Sequence, residues 1–163
     1  MPSEKREVKF SKLLVAVDGS DQSIKAAEYA IDIANRYSAQ LIALTVLDIS
    51  KVRYSSSALI APPMHALKEL EGMRKEAQEW LDKVGKLIEK RNDISDNSNI
   101  IQLKSQIEES MSVAGTIVDY AENENIELIV VGSRGRSGFK KLLLGSVAST
   151  VVTYATCPVL VIK

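Results

Sequence analysis

The chain of 163 residues has room for one domain of ordinary size, and we expect a single domain over 1–163. Its 21 basic and 21 acidic residues give a formal net charge of zero, which argues against nucleic acid and anionic membranes as partners. Because Cys157 is the only cysteine, an internal disulfide, a Cys-x-x-Cys redox pair and a four-thiolate zinc site are excluded, and a reducing cytoplasm is the expected location. The polar start of the chain and the lack of an apolar run of ~20 residues predict neither export nor a membrane span.

The first part of the chain alternates strand and helix patterns. An apolar run at 13–17 predicts a first strand. Ser20 or Asp21 is the expected N-cap of a helix that continues to about Tyr37, with apolar residues recurring at helical spacing. A second apolar run at 41–47 predicts a buried strand, mostly continuous rather than alternating, as expected where helices cover both faces of a sheet.

The middle of the chain is less regular. Residues 49–64 contain a serine run and a Pro-Pro pair without periodicity, which predicts an irregular surface loop of the kind that borders binding crevices. A helical pattern over about 70–90 follows, and Trp80 lies on its apolar stripe, which favours a core position. A turn rich in Asn, Asp and Ser at 92–99 precedes a third strand at about 100–107.

The last part of the chain continues the alternation. Ser110 or Ser112 is expected to cap a third helix, and an apolar run at 128–131 predicts a fourth strand. A final helix is stopped by Pro158 and followed by a terminal strand at 159–162. This order predicts an α/β fold, a Rossmann-like open parallel sheet of five strands with helices on both faces.

A glycine-rich segment follows the fourth predicted strand. Gly132 and Gly135 are followed after nine residues by Gly145 and Ser146, at the expected start of the last helix. Glycine lets a ligand approach the backbone closely, and a helix N-terminus offers unpaired N–H groups to an anion. The segment therefore predicts a phosphate-binding loop, although glycines that only shape a loop would give the same pattern.

The spacing Gly-x2-Gly-x9-Gly-Ser after a valine-rich strand resembles the nucleotide-binding signature of the universal stress protein family, in its ATP-binding branch. The resemblance covers nearly the whole chain and implies the strand order 3-2-1-4-5. In that order the winding reverses between strands 1 and 4, and open α/β sheets bind ligands beyond the carboxyl ends of their strands at such a reversal. Asp18 and Gly132 are the residues that arrive there.

A nucleotide in that crevice needs an anion site, a polar contact for the sugar or base, and an apolar slot for the purine. Gly135, Gly145 and Ser146 are the candidates for the phosphates, and Gly132 is the candidate for close passage of the ribose. The resemblance implies that Asp18 contacts the adenosine moiety. The alternative is an aspartate that only caps a helix or stabilises a turn.

The remaining predicted contacts are apolar residues near strand and helix ends and arginines in the glycine segment: Ala16, Val17, Val46, Val131, Val147, Arg134 and Arg136. By resemblance, the main chain around the first three lines the adenine slot. For each apolar residue in this set a plain core position is the alternative. The two arginines can offset phosphate charge, and the alternative for them is a solvated side chain.

The sequence predicts no metal-binding or catalytic residues. The single histidine, His65, has no Cys or His partner nearby, and Cys157 precedes an apolar strand with no base to activate it. The chain also lacks the Walker sequence G-x-x-x-x-G-K-[ST]. The expected cofactor is ATP, with ADP or AMP as alternatives and with Mg²⁺ as an optional ion shared between phosphates and water.

By resemblance, the leading hypothesis is an ATP-binding protein of the stress response, in which nucleotide occupancy switches the conformation or the choice of partner. A slow ATPase or autophosphorylating enzyme and a nucleotide-free dimeric scaffold stay open as alternatives, and a cyclic-AMP receptor is a fourth. The strand at 159–162, at an edge of the sheet, is the expected homodimer contact. The sequence does not identify protein partners.

Overall fold

The structure is a computed structural model that describes residues 9–52, 64–94, 100–136 and 144–163. Strands and helices alternate along these residues: β1 Lys12–Ala16, α1 Asp21–Tyr37, β2 Gln40–Asp48, α2 Met64–Ile94, β3 Leu103–Ser110, α3 Val113–Asn123, β4 Leu128–Gly132, α4 Ser146–Tyr154 and β5 Val159–Ile162. None of the helices in this part of the chain is long and apolar enough to cross a bilayer.

The strands form one parallel sheet in the order β3-β2-β1-β4-β5. At its centre Leu14 of β1 pairs with Ile42 of β2 on one side and with Ile129 of β4 on the other. The predicted Rossmann-like α/β fold and the order 3-2-1-4-5 are therefore confirmed. Because β1 and β4 are neighbours in space but not in sequence, the winding of the sheet reverses between them.

Successive residues of the strands bury opposite faces of the sheet. Leu13 and Val15 of β1 pack with α1 and α2, whereas Leu14 packs with α3 and α4, and all three side chains are fully buried. A strand alternates its side chains between two faces, so a strand covered on both faces is apolar throughout. The continuous apolar runs in the sequence follow from this arrangement.

Side-chain caps fix the starts of α1 and α3. Ser20 is the N-cap of α1, where its side chain accepts a hydrogen bond from the Ser23 N–H, and Ser112 caps α3 in the same way through Gly115. Ser38 ends α1 in the left-handed conformation, with φ 53°. Serine satisfies an N–H group at a helix start that has no partner within the helix.

The second helix is longer than the predicted 70–90, because α2 spans Met64–Ile94. Its first turns are mostly exposed and so carry little apolar periodicity, although their Ala, Leu, Lys and Glu residues favour helix strongly. His65, which the sequence places beside the Pro-Pro pair of the predicted irregular loop, lies instead in the first turn of α2, where it is exposed. Within the predicted turn at 92–99 the helix continues to Ile94, and residues 95–99 lie outside the described part.

Two further boundaries differ from the prediction. β3 runs over Leu103–Ser110 rather than 100–107, because its ends are set by pairing with β2 from Leu41 to Asp48. Ile100 is 83% exposed despite its apolar side chain. Of the loop predicted at 49–64, Ile49–Lys51 form a short 3₁₀ helix, and 53–63 are outside the described residues.

Candidate functional site

A cavity of about 380 Å³ opens at the carboxyl edge of the sheet, where β1, β2 and β4 end. Every residue predicted to contact the nucleotide lines it: Ala16, Val17, Asp18, Val46, Val131, Gly132, Arg134, Gly135, Arg136, Gly145, Ser146 and Val147. The two stretches of the glycine motif therefore meet β1 and β2 at one opening, at the reversal between β1 and β4. Cavities that bind small molecules have about this size and mix apolar walls with a few polar groups.

The two ends of the glycine segment are held against each other. The Gly145 N–H donates to the Ser133 carbonyl at 2.7 Å, and a Cβ at Gly145 would lie 3.3 Å from the same oxygen. The Ser133 N–H donates in turn to the carbonyl of Ile162 in β5, which ties the segment to the sheet. This bracing holds the start of α4 beside the end of β4.

Gly132 has a packing requirement of its own. A Cβ there would lie 2.9 Å from the Gln22 carbonyl carbon in the first turn of α1. Backbone atoms cannot move aside cheaply, so α1 needs a glycine at this position whether or not a ribose passes nearby. The predicted contact with ribose stays a prediction.

Asp18 joins the turn after β1 to the glycine segment. Its Oδ1 accepts hydrogen bonds from the Ser20 N–H at 3.0 Å and from the Ser20 hydroxyl, and its Oδ2 accepts from the Arg136 N–H at 3.2 Å. A Cβ at Gly135 would lie 2.7 Å from the same Oδ2. Asp18 therefore does stabilise the turn after β1, as the alternative interpretation predicted. A carboxylate has about four acceptor positions, so these three hydrogen bonds leave Asp18 able to accept one from a ligand.

The start of α4 differs from the starts of α1 and α3. Its N-cap is Gly145, which has φ −71° and ψ 161° and makes no side-chain capping bond. The first N–H groups of a helix have no acceptor within the helix, and in α4 these groups belong to Ser146, Val147 and Ala148, all of which line the cavity. Among the α-helices whose N-cap is described, α4 alone presents such amides without a side-chain cap.

The main chain of β2 extends past the end of β1 into the cavity wall. The Val17 N–H donates to the Leu44 carbonyl at 2.9 Å, so Leu44 faces β1. In a parallel sheet the N–H and C=O of alternate residues face the same neighbour, so Val46 faces the space beyond β1. The Val17 carbonyl accepts from the Thr45 hydroxyl at 2.9 Å. Main-chain groups of Val46, rather than those of Val17, are thus directed at the opening.

Sequence reasoning missed several residues of the cavity wall: Ser23, Leu44, Leu47, Asp48, Met73, Val113, Ile117, Ser133 and Ala148. Trp80 was interpreted as a core residue, and it does pack partly against the core, but it also lines the cavity. A Cβ at Gly19 would lie 2.4 Å from the indole Cε2 of Trp80. The order of the elements could have indicated this, because α2 follows β2 and therefore begins at the carboxyl edge of the sheet, where the cavity opens.

The two arginines of the glycine segment both line the cavity. Arg136 also lies over the Trp80 ring, with its guanidinium carbon 4.9 Å from the ring centroid, and its Nη1 lies 3.6 Å from Glu76 Oε2. A guanidinium commonly stacks on an aromatic face in this way. Arg136 therefore connects the glycine segment to α2.

Two observations on the described residues concern metal binding and thiol reactivity. No group of three or more His, Cys, Asp or Glu side chains within them is placed to hold a metal ion. Burial raises the pKa of the Cys157 thiol, which lowers the fraction of reactive thiolate near neutral pH.

Comparison with known proteins gives consistent matches over almost the whole chain. The sequence model of the universal stress protein family matches residues 9–163. Universal stress protein MJ0531 of Methanocaldococcus jannaschii is 35% identical over 156 residues, covering 94% of this chain and 82% of that protein. Universal stress protein YxiE of Bacillus subtilis is also 35% identical over 156 residues, covering 94% of this chain and 99% of its own length.

Solved structures match the fold over a similar extent. Universal stress protein UspA from Lactobacillus plantarum superposes with a TM-score of 0.70 at 29% identity, covering 96% of this chain and 100% of that one. A universal stress protein from Archaeoglobus fulgidus in complex with dAMP gives 0.63 at 20% identity, covering 96% and 100%. Another universal stress protein, in complex with cAMP, gives 0.62 at 20% identity, covering 96% and 98%.

Proposed function

This chain belongs to the universal stress protein family, and we propose that its cavity binds an adenine nucleotide, with ATP as the leading candidate. We further propose that nucleotide occupancy biases the conformation or the partner choice of a cytoplasmic protein. The observation that carries the proposal is the start of α4, where amides without a side-chain cap line a cavity whose other walls mix apolar and polar groups.

In this proposal the phosphates lie beside Gly135, Gly145 and Ser146. The Gly145 N–H is taken by the Ser133 carbonyl, so the uncapped N–H groups at the start of α4 and the positive end of its dipole favour the anion. The ribose passes near Gly132, and Asp18 makes a polar contact with either the ribose or the base. The adenine lies beyond the end of β1, where main-chain groups of Val46 can recognise its edge. Apolar side chains around this point bury the two faces of the ring.

The relatives solved with dAMP and with cAMP support adenine as the base. AMP, ADP and cyclic AMP are further candidates beside ATP, since these two relatives were solved with a monophosphate and a cyclic nucleotide. An anion site at a helix start favours ligands with several phosphate oxygens.

Catalysis is a second candidate function, limited to slow ATP hydrolysis or autophosphorylation. In the cavity wall, Asp18 is already engaged by three donors, and Asp48 accepts from the Ser50 N–H at 3.1 Å. A Mg²⁺ ion would then be held chiefly by phosphates and water, as is common for this ion. It would neutralise phosphate charge there.

For the homodimer, we propose the outer edge of β5, which is an edge strand of the sheet. Pro158 and Ile162 direct their carbonyls to β4, so Val159 and Val161 direct their main-chain groups outward. On α4, which contacts β5, Val152 and Tyr154 are 47% and 67% exposed. Unpaired strand groups next to exposed apolar side chains suit pairing with a second copy.

The test begins with mass spectrometry of any ligand released from freshly purified protein, followed by calorimetric titration with ATP, ADP, AMP and cyclic AMP. Gly135→Ala should weaken binding of the preferred nucleotide about tenfold or more, because its Cβ would lie 2.7 Å from Asp18 Oδ2 in the cavity wall. Gly72→Ala is the matched control, since a Cβ there has no neighbour within 4 Å. If the unaltered protein binds none of the four nucleotides, the proposal fails.

A further inference from the structure

The Arg136 side chain is held at the cavity by contacts outside the glycine motif. Its guanidinium lies over the Trp80 ring at 4.9 Å and beside Glu76 at 3.6 Å. Both partners belong to α2, and Trp80 lines the cavity together with Arg136. The glycine motif does not require the contacts of Arg136 with Trp80 and Glu76.

These contacts are weak enough to exchange. The side chains of Arg136 and Glu76 are 60% and 57% exposed, and ion pairs at such positions contribute little because water screens them. The main chain of Arg136 is anchored separately, through its N–H to Asp18 Oδ2 at 3.2 Å. The guanidinium can therefore leave Trp80 while the backbone of the glycine segment stays in place.

A phosphate group is a stronger partner for this guanidinium than Glu76. It carries more charge than a carboxylate and accepts two parallel hydrogen bonds from arginine. Gly135, the preceding residue, is a proposed phosphate contact, so a phosphate chain that continues past its amide approaches the Arg136 side chain.

We propose that Arg136 makes this site sensitive to the number of phosphates. A nucleotide with a long phosphate chain draws the guanidinium from Trp80 and Glu76 onto its terminal phosphate, whereas a monophosphate leaves it on α2. This inference rests on the proposed nucleotide binding, and it assigns to one side chain the preference for a triphosphate.

Affinity ratios provide the first test. Calorimetry with AMP, ADP and ATP is carried out on the unaltered protein and on Arg136→Ala, Glu76→Gln and Arg91→Ala. Arg136→Ala should lose about tenfold in ATP affinity and almost none in AMP affinity, whereas Glu76→Gln, which removes the competitor, should gain about twofold for ATP. Arg91→Ala is the control for net charge. Arg91 lies near the end of α2, where its Nη2 pairs with Asp32 of α1, so its loss should leave the ratio of ATP affinity to AMP affinity unchanged.

Trp80 provides the second test, since it is the only tryptophan in the chain. Removing a cation from the indole ring changes its emission, so saturating ATP should shift the Trp80 spectrum more than saturating AMP does. In Arg136→Ala the difference between the two nucleotides should vanish.

The outcomes separate this inference from the proposed function. If the unaltered protein binds no nucleotide, the proposed function fails and this inference fails with it. If it binds nucleotides and Arg136→Ala weakens ATP and AMP equally, or weakens neither, only the inference is overturned. An ATP-specific emission change that persists in Arg136→Ala also overturns it.

Discussion

Gly19→Ala gives the sharpest test of how the turn after β1 supports the cavity. Gly19 has φ +79°, and a Cβ there would lie 2.4 Å from both Cε2 and Nε1 of Trp80. The substitution therefore imposes two separate penalties. The backbone must hold an L-residue in the left-handed region, and the indole must move away from the turn.

The size of the effect follows from these two terms. A left-handed non-glycine residue costs about 1 kcal/mol, and forcing a packed side chain out of place costs about 1–3 kcal/mol. The expected loss in the free energy of unfolding is thus about 2–4 kcal/mol. For a chain of this size that lowers the melting temperature by about 5–15 °C.

Urea denaturation followed by circular dichroism measures the loss. Gly85→Ala is the matched control, because its Cβ would meet no atom within 4 Å inside α2. The control should be stabilised by about 0.5–1 kcal/mol, since alanine favours helix over glycine. If Gly19→Ala unfolds with a free energy within about 0.5 kcal/mol of the unaltered protein, the packing of Trp80 on this turn is refuted.

Two further predictions concern the β5 edge of the sheet and the Glu127 carboxylate, which lies near the amino end of β1. Val161→Pro removes an outward N–H of β5 without removing a bond to β4, and should weaken the homodimer about tenfold or more in light scattering; an unchanged dimer mass contradicts the proposed geometry. Hydrogen bonds from Ser11 lower the pKa of Glu127, so its stabilising contribution is present above about pH 4.3 and is lost as the pH falls through the lowered pKa. Because this carboxylate is near the surface, the loss should be under about 1 kcal/mol. Glu127→Gln should reduce the fall in melting temperature between pH 6 and 3. An equal fall in melting temperature for both proteins contradicts the prediction.

The parts of the fold that local chemistry determines were predictable from the sequence. Ser20 caps α1 because its hydroxyl reaches an N–H three residues on, and this signal needs no knowledge of the rest of the chain. The strand order came instead from the family resemblance of the glycine spacing, and the reversal in that order is where the candidate site residues line one cavity.

The parts that depend on neighbours in space were not predictable. The ends of β3 follow from pairing with β2, and the apolar pair at Ile100 and Ile101 suggested an earlier start. The sequence indicated that Trp80 is apolar and on a helix stripe, but its contacts with Gly19 and Arg136 depend on how α2 crosses the carboxyl edge. Periodicity identifies a buried face without saying what lies against it.

The packing requirement of Gly132 affects how binding would be diagnosed in relatives that have diverged from this chain. A lineage that abandons its ligand is still obliged to keep this glycine, because a methyl group would push α1 away from the sheet. Gly145 is freer to drift in such a lineage, since its nearest obstacle, the Ser133 carbonyl, lies at 3.3 Å and needs to yield only slightly. If the proposed site is correct, a glycine that survives at the first position says little about retained binding, and loss of the glycine at the later position is the more informative change.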